Sequence, residues 1–433
     1  MNVKNSLRDT HKERAGLTDP HPGDPTPRWN AVGLTLLVLG GLALVTLPFL
    51  RVAPNRLVSG EAVSFFAVLR GLASQLGWLV AALLACLAAA LLAKPSRGLH
   101  GAVAGVSVAA MGGLLWLAGA QASMVAQIAS PIARTSLGGA FWVVSLLLGL
   151  LAADALQHWR VSLSSRTAWL VAALLLILGL LAGGWCDDLS IMKEYANRAD
   201  VFAQAIARHL QIVLVALVPT LLIGLPLGWL AQRSARVHGR AATALFPVLN
   251  VIQTIPSIAL FGLLMAPLAL LAAAVPALAR AGISGVGLAP GVMALTLYSL
   301  LPVVRGTLAG LEQVPSGVRD AALGMGMRGS QIFWHVDVPL AAPVVLAGIR
   351  TATVQMVGLA AVTALIGAGG LGALMFEGLF SSAEDLVLLG VIPIVALGVM
   401  TDATFGVLIS RVGRVSLKGA DGSDRMNTAQ QAA

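Results

Sequence analysis

Charge is scarce in this sequence: Asp, Glu, Lys and Arg make up 11% of its 433 residues, while 58% are hydrophobic. Soluble domains carry about 25% charged residues, so an ordinary soluble chain is excluded. A mean hydropathy of +0.87 marks a polytopic membrane protein instead. Cysteine is limited to Cys86 and Cys186, with no CxxC or metal-type spacing. That excludes a disulfide scaffold and a zinc site, and leaves two lipid- or core-facing side chains. No GxxxxGK[ST] occurs, so the chain lacks a P-loop for ATP. No HExxH or GxSxG occurs either, which removes an intramembrane enzyme built on those motifs. No internal repeat is evident. The 28 basic and 19 acidic residues give +9, and in so apolar a chain that excess fits one membrane face better than nucleic acid.

A bilayer core about 30 Å thick takes about 20 mostly apolar residues per helix, because lipid offers no partner to backbone polar groups. Ten stretches reach that length, namely 31–50, 72–93, 101–122, 137–156, 167–185, 210–231, 243–266, 289–304, 340–366 and 386–410. The piece 267–278, broken by Pro267 and Pro276 and followed by a Gly-rich run, is too short and predicts a re-entrant or surface helix. With the amino terminus inside, the inner segments collect the basic residues up to Arg28, then Lys94, Arg97, Arg160, Arg166, Arg233, Arg236, Arg240, Arg305, Arg319, Arg328, Arg411, Arg414, Lys418 and Arg425. The outer segments keep only Arg51, Arg56, Arg70, Arg134, Lys193, Arg198, Arg208 and Arg280, so the positive-inside rule predicts both termini in the cytoplasm. Trp29, Trp159, Trp169 and Trp229 near inner ends, and Trp78 and Trp185 near outer ends, agree with that frame.

Residues 1–30, with five basic and four acidic side chains and four prolines, predict a disordered cytoplasmic tail. The tail is too long and polar for a signal peptide, so the first span is expected to stay as an anchor. Asp187, Asp188, Lys193, Glu194 and Asp200 make 187–208 a charged periplasmic linker. It separates a five-helix region, 31–186, from a second half whose spans hold recurrent Pro, Gln, Asn and Thr, ahead of a cytoplasmic tail at 412–433.

In the second half, Asn250, Gln253, Thr254 and Ser257 follow i, i+3, i+4, i+7 spacing and are expected on one face of the seventh span. Thr351 and Gln355 form a smaller stripe on the ninth. Such residues serve as hydrogen-bond glue between helices or line a translocation path. Pro247 and Pro256 could kink the seventh helix into a gate or simply into its packing. Asp154 and Asp402 are ionisable residues within spans, and structural pairing is the expectation for both. Glu377, Glu384 and Asp385 form a small acidic outer patch, read as solvated surface. Gly367, Gly369 and Gly372 have GxGxxG spacing, but they end a span instead of following a strand, so a Gly-permitted turn with close helix packing is expected. His209, His238 and His335 are isolated, and no metal ligand set is assigned.

The most specific segment is the loop PSGVRDAALGMGMRGSQIFWHVDVPLAAP from Pro315 to Pro343. Asp320 is expected in the first turns of a short helix, where it complements the positive end of the helix dipole. Gly324, Gly326 and Gly329 interrupt that helix, Ser330 can cap a second one carrying Ile332, Phe333 and Trp334, and Pro339 ends it. A helix–turn–helix outside the bilayer with an apolar, aromatic edge fits a groove on a protein partner.

Here the sequence resembles the permease subunits of ATP-binding-cassette importers. Their cytoplasmic signature is Glu-Ala-Ala, three residues, Gly, nine residues, then Ile-x-Leu-Pro, and it stands here as Asp320-Ala321-Ala322, Gly326, Val336, Val338 and Pro339. The spacing is intact, with Asp for Glu and Val for both Ile and Leu. NVIQTIPSIALFG from Asn250, ALTLYSLLPVVRGTLAGL from Ala294, GIRTATV from Gly348 and LIGAGGLG from Leu365 look like the osmoprotectant permeases for glycine betaine, choline, carnitine and related solutes. The resemblance covers 209–411, and some of these permeases are similar in carrying an extra amino-terminal membrane region.

The resemblance implies an all-α polytopic protein of about ten transmembrane helices in the bacterial inner membrane, with a type I importer permease core at 209–411 and a coupling loop at 315–339. It implies a dimer with a second permease copy or paralogue, and ATPase subunits that carry ATP and Mg. It also implies a periplasmic or lipid-anchored solute-binding protein, and no cofactor or catalytic residue in this chain. Asp320 would fix the start of the loop helix, Ala321 and Ala322 would allow close approach, Gly324 and Gly326 would shape the turn, and Phe333 and Trp334 would supply apolar contact. With Tyr195 and Tyr298 the only tyrosines, an aromatic cage inside the core is hard to build, which places solute affinity on the binding protein. The rival is an ion-coupled carrier, which would be expected to show repeated halves and a central ionisable pair.

Overall fold

The computed structural model describes residues 31–431 except 56–57, 59, 72–76, 93–95, 130–131, 160–162, 238–239 and 281. The expectations for 1–30, Arg56, Lys94, Arg160 and His238 lie outside the described residues. Helix dominates, as it must where apolar segments have to pair their own backbone. The first elements are α1 (Ala31–Thr46), β1 (Leu50–Ala53), β2 (Glu61–Val63), α2 (Phe65–Gly71), α3 (Gly77–Leu92), α4 (Arg97–Ile128), β3 (Arg134–Leu137), α5 (Gly139–His158) and α6 (Leu163–Ala182). Then follow α7 (Ser190–Asn197), α8 (Ala199–Val237), α9 (Arg240–Thr254), α10 (Ser257–Ala274), α11 (Pro276–Arg280) and α12 (Leu288–Glu312). The chain ends with α13 (Ser316–Gly324), α14 (Gly329–Ile332), a π-helical turn (Phe333–Asp337), α15 (Val338–Leu359), a 3-10 turn (Val362–Ile366), α16 (Leu371–Phe380) and α17 (Glu384–Gln431).

These elements fall into two compact units, Met1–Arg51, Glu61–Gln121 and Leu137–Val161 in one, and Val52–Gly60, Ala122–Ser136 and Ser162–Ala433 in the other. In the first, α1 packs against α3 and α5. Phe49 is fully buried there, edge-on to Phe65 and Phe141 at centroid distances of 5.3 and 6.0 Å. Asp154 is paired: its carboxylate lies 3.4 Å from His158 Nδ1, and the His158 ring stacks on His100 at 5.4 Å.

In the second unit α12 is the central helix, packed against α8 and α15, while α17 packs against α15 and α16. Ile212, Leu295, Met356, Leu371 and Leu386 form its fully buried core. One close helix crossing is made by two glycines, since a Cβ on Gly306 of α12 would sit 2.7 Å from the Gly348 Cα of α15. The fifth apolar helix, α6, is grouped with this unit and packs against α17, yet none of its apolar window is buried. A helix so bare of protein is in the state expected of one solvated by lipid.

Eight described helices are long and apolar enough to cross a membrane, among them α4, α5, α6 and α8. The predicted spans 31–50 and 72–93 appear as the 16-residue helices α1 and α3. The seventh span is corrected. Instead of one helix over 243–266, the chain breaks between Thr254 and Ser257 into α9 and α10. Pro256 disfavours helical geometry at Ile255 and lacks the N–H to continue the ladder. The separate surface helix expected at 267–278 is likewise replaced, because α10 passes straight through Pro267 to Ala274 and is itself long enough to span.

Candidate functional site

The 315–339 loop lies within the second unit. Pro315, with extended geometry (φ −60°, ψ 137°), precedes α13 without a side-chain cap. Asp320 is the fifth residue of that helix and exposed, so it is past the first turn, where the dipole is felt. The expectation that it fixes the helix start is therefore corrected. Ala321 is exposed while Ala322 is 2% exposed and turned into the fold. α13 stops at Gly324, and Gly326 takes φ +80°, a left-handed conformation that L side chains adopt only at a cost.

Ser330 does not cap the second helix. Arg328 occupies the cap, its backbone N–H donating to Gln331 Oε1 at 2.8 Å. Pro339 also does not end the element: it is the second residue of α15, and the chain stays helical from Gly329 through the π-turn to Leu359. The π-turn accommodates the proline, since the Val338 N–H bonds five residues back to the Phe333 carbonyl. Phe333 is half-buried, edge-on to Trp229 at 5.9 Å, and Trp334 beside it is 64% exposed. Leu323 and Met325 are exposed too, so the loop carries an apolar edge that its own chain leaves uncovered. Arg319 braces it: Nε donates to Asp337 Oδ1 at 2.6 Å and Nη2 to the Leu311 carbonyl at 2.9 Å.

The polar stripe of the seventh span is divided by the break at Pro256. Asn250, Gln253 and Thr254 are on α9 and Ser257 opens α10, so the four do not share one helix face. Asn250 is exposed and its Oδ1 accepts from Arg305 Nη2 at 2.9 Å. Gln253 Nε2 donates to the Tyr298 carbonyl at 2.8 Å, and the Tyr298 hydroxyl donates to the Ile255 carbonyl at the break. Thr254 turns back on its own helix through the Val251 carbonyl. Thr351 and Gln355 stand one turn apart on α15, the first exposed and the second half-buried.

At the far end of α15 from the loop, Gly367, Gly369 and Gly370 all have positive φ. Gly370 faces His209, which is fully buried with Nε2 3.0 Å from the Val357 carbonyl. The acidic patch is partly consumed internally. Glu377 Oε1 accepts from Arg198 Nη1 at 2.5 Å, and Asp385 Oδ2 accepts from Ser136 Oγ at 2.6 Å. Nearby, Glu194 is 3% exposed and lies 3.5 Å from Arg134 and 3.9 Å from Arg198. Sequence reasoning missed these pairings; for Asp402 it expected a structural pair, and the structure supplies the partner as Arg350, bidentate at 2.6 and 2.5 Å.

Two family models match the chain: residues 28–192 match "ABC transporter permease YehY, N-terminal domain", and residues 224–414 match "Binding-protein-dependent transport system inner membrane component". The chain is 38% identical over 206 residues to the osmoprotectant import permease protein OsmW of Salmonella typhimurium, covering 48% of this chain and 89% of that protein. It is 34% identical over 211 residues to the glycine betaine/carnitine/choline transport system permease protein OpuCB of Bacillus subtilis, covering 49% and 88%. Among solved structures, a chain of the inward-facing MetNI methionine ABC transporter aligns with 21% identity over 50% of this chain and 98% of that one, at a TM-score of 0.43.

Proposed function

The chain belongs to the osmoprotectant-importer permeases, a branch of the binding-protein-dependent inner membrane components, and from that premise we propose how it works and what it carries. The solute is a compatible one bearing a quaternary amine, such as glycine betaine, choline or carnitine, the classes named for its relatives. ATP and Mg reside on separate ATPase chains, a binding protein delivers the solute, and a second permease copy or paralogue completes the path. Both termini are cytoplasmic, which puts the 315–339 loop on the same side as the ATPase. The amino-terminal region, matched as a family domain over 28–192, modifies or stabilises a core at 209–411.

One observation carries this reading: the loop exposes Leu323, Met325 and Trp334 on two short helical elements and the turn between them, which Arg319 and Asp337 hold together. An apolar edge of that kind is what a helix offers to a groove. Ala321 and Gly326 permit close approach, and Phe333 anchors the edge through Trp229. Closure of two ATPase subunits would move the paired loops, and the unbroken helix from Gly329 to Leu359 would convey the motion into the membrane. Asn250, Gln253, Thr254, Ser257, Thr351 and Gln355 are the candidates for contact with the moving solute. The ion-coupled carrier is the weaker reading, because the relatives are importer permeases and Asp402 is already neutralised by Arg350.

Reconstitution of the permease with its ATPase and binding protein, followed by ATP-dependent uptake of labelled glycine betaine, choline and carnitine, tests this function. Uptake that persists without the ATPase would overturn it.

A further inference from the structure

Arg350 of α15 and Asp402 of α17 meet in a bidentate pair, Nε to Oδ1 at 2.6 Å and Nη2 to Oδ2 at 2.5 Å, inside two helices long and apolar enough to span. Arg350 stands twelve residues along α15, roughly 18 Å from its start, and Asp402 eighteen residues along α17, roughly 27 Å from its start. By the length of α17 the pair stands toward one face of a core about 30 Å thick, where ionisable residues within spans face a water-filled cavity, a partner charge or another protein surface. Yet the side chains are 38% and 47% exposed, so the helices of this chain leave the pair open on one side. Thr351, next to Arg350, is also exposed.

We infer that the Arg350–Asp402 pair lines the solute path and selects zwitterionic solutes by partner exchange. A solute with a carboxylate at one end and a fixed cation at the other presents the same two charges in reverse order. Its carboxylate accepts the paired N–H groups of Arg350, its cation lies against Asp402, and no charge at the site is left uncompensated during passage. A solute with a cation alone engages only Asp402 and leaves Arg350 bare. The inference rests on the proposed function, and it adds the charge pattern that the path itself reads.

The test is uptake of labelled glycine betaine and labelled choline by the complete reconstituted transporter, both delivered by the same binding protein. Arg350→Gln is expected to raise the choline-to-betaine ratio at least tenfold, and Asp402→Asn to lower it at least tenfold, while the double variant falls between them. A structural role moves both solutes together, so a constant ratio in all three variants overturns the inference while leaving the function intact. Loss of permease–permease association with a constant ratio overturns it as well, and assigns the pair to the contact with a second copy. Failure of the unaltered transporter to move either solute overturns the proposed function and this inference with it.

Discussion

Arg319 on α13 holds Asp337 in the π-helical turn across 2.6 Å and at the same time donates to the carbonyl of Leu311 near the end of α12. One side chain thus fixes the two halves of the loop to each other and to the helix that precedes them. Both partners of the ion pair are less than one-fifth exposed, at 16% and 13%.

Arg319→Ala leaves the Asp337 carboxylate without its cation in a mostly buried place, a change that costs about 3 kcal/mol. Uptake is expected to fall severalfold while the protein remains in the membrane, and limited proteolysis should cut the loop faster. Arg319→Lys should recover part of the uptake; full uptake in Arg319→Ala would show that the brace is dispensable.

Gly326 is held at φ +80°, and nothing lies within 4 Å of where its Cβ would sit, so only the backbone resists substitution. Gly326→Asn, which tolerates the left-handed region, should keep most of the transport. Gly326→Val should lose it, through strain of about 1–2 kcal/mol or more. Equal uptake by the Asn and Val variants would remove the turn from the mechanism.

At the Gly306–Gly348 crossing the obstacle is backbone, and α12 cannot give way without disturbing the core around it. Gly306→Leu is expected to reduce the amount of folded protein in the membrane sharply. Gly317→Ala, in α13 with open space around it, should be neutral or stabilising by about 0.5–1 kcal/mol. Detergent thermal shifts of the two variants measure the contrast.

Much of this was legible in the residues. Long apolar runs fixed the helices, because in lipid no other backbone arrangement pairs itself. The spaced signature from Asp320 to Pro339 located the loop. The failures have local causes. A face assigned by i, i+4 spacing assumes an unbroken helix, and Pro256 breaks this one. Pro339 reads as a terminator until the preceding π-turn shifts the hydrogen bonding by one residue. Arg319–Asp337 and Arg350–Asp402 join positions 18 and 52 residues apart, and no single-sequence pattern specifies which charge meets which.

Burial, assisted by Asp187, pushes the Cys186 thiol up to about 11 from 9.0. Since the folded pKa is raised, the thiol is neutral in both states below about pH 9. Between about pH 9 and 11 only the unfolded chain ionises, so stability should fall as pH rises through that window. At pH 7.5 a maleimide should label Cys186 slowly in the native protein and quickly after denaturation, with a Cys86→Ala background to isolate the signal. Rapid native labelling would contradict the burial.

Glu194 is enclosed between Arg134 and Arg198, so Glu194→Gln leaves two guanidinium groups short of one carboxylate. A loss of about 2–4 kcal/mol and a lower Tm in detergent are expected. Added salt should do little to mask the difference, because a buried charge is weakly screened.

The unbroken helix from Gly329 to Leu359, roughly 46 Å long by its 31 residues, makes one continuous element of the loop's second half and a membrane span. A displacement that begins at Trp334 is passed along this continuous helix towards Leu359, and the Arg319–Asp337 brace makes α13 move with it across the Gly324–Arg328 turn. One residue added anywhere along that helix would rotate every later side chain by about 100° and put the loop out of step with the span.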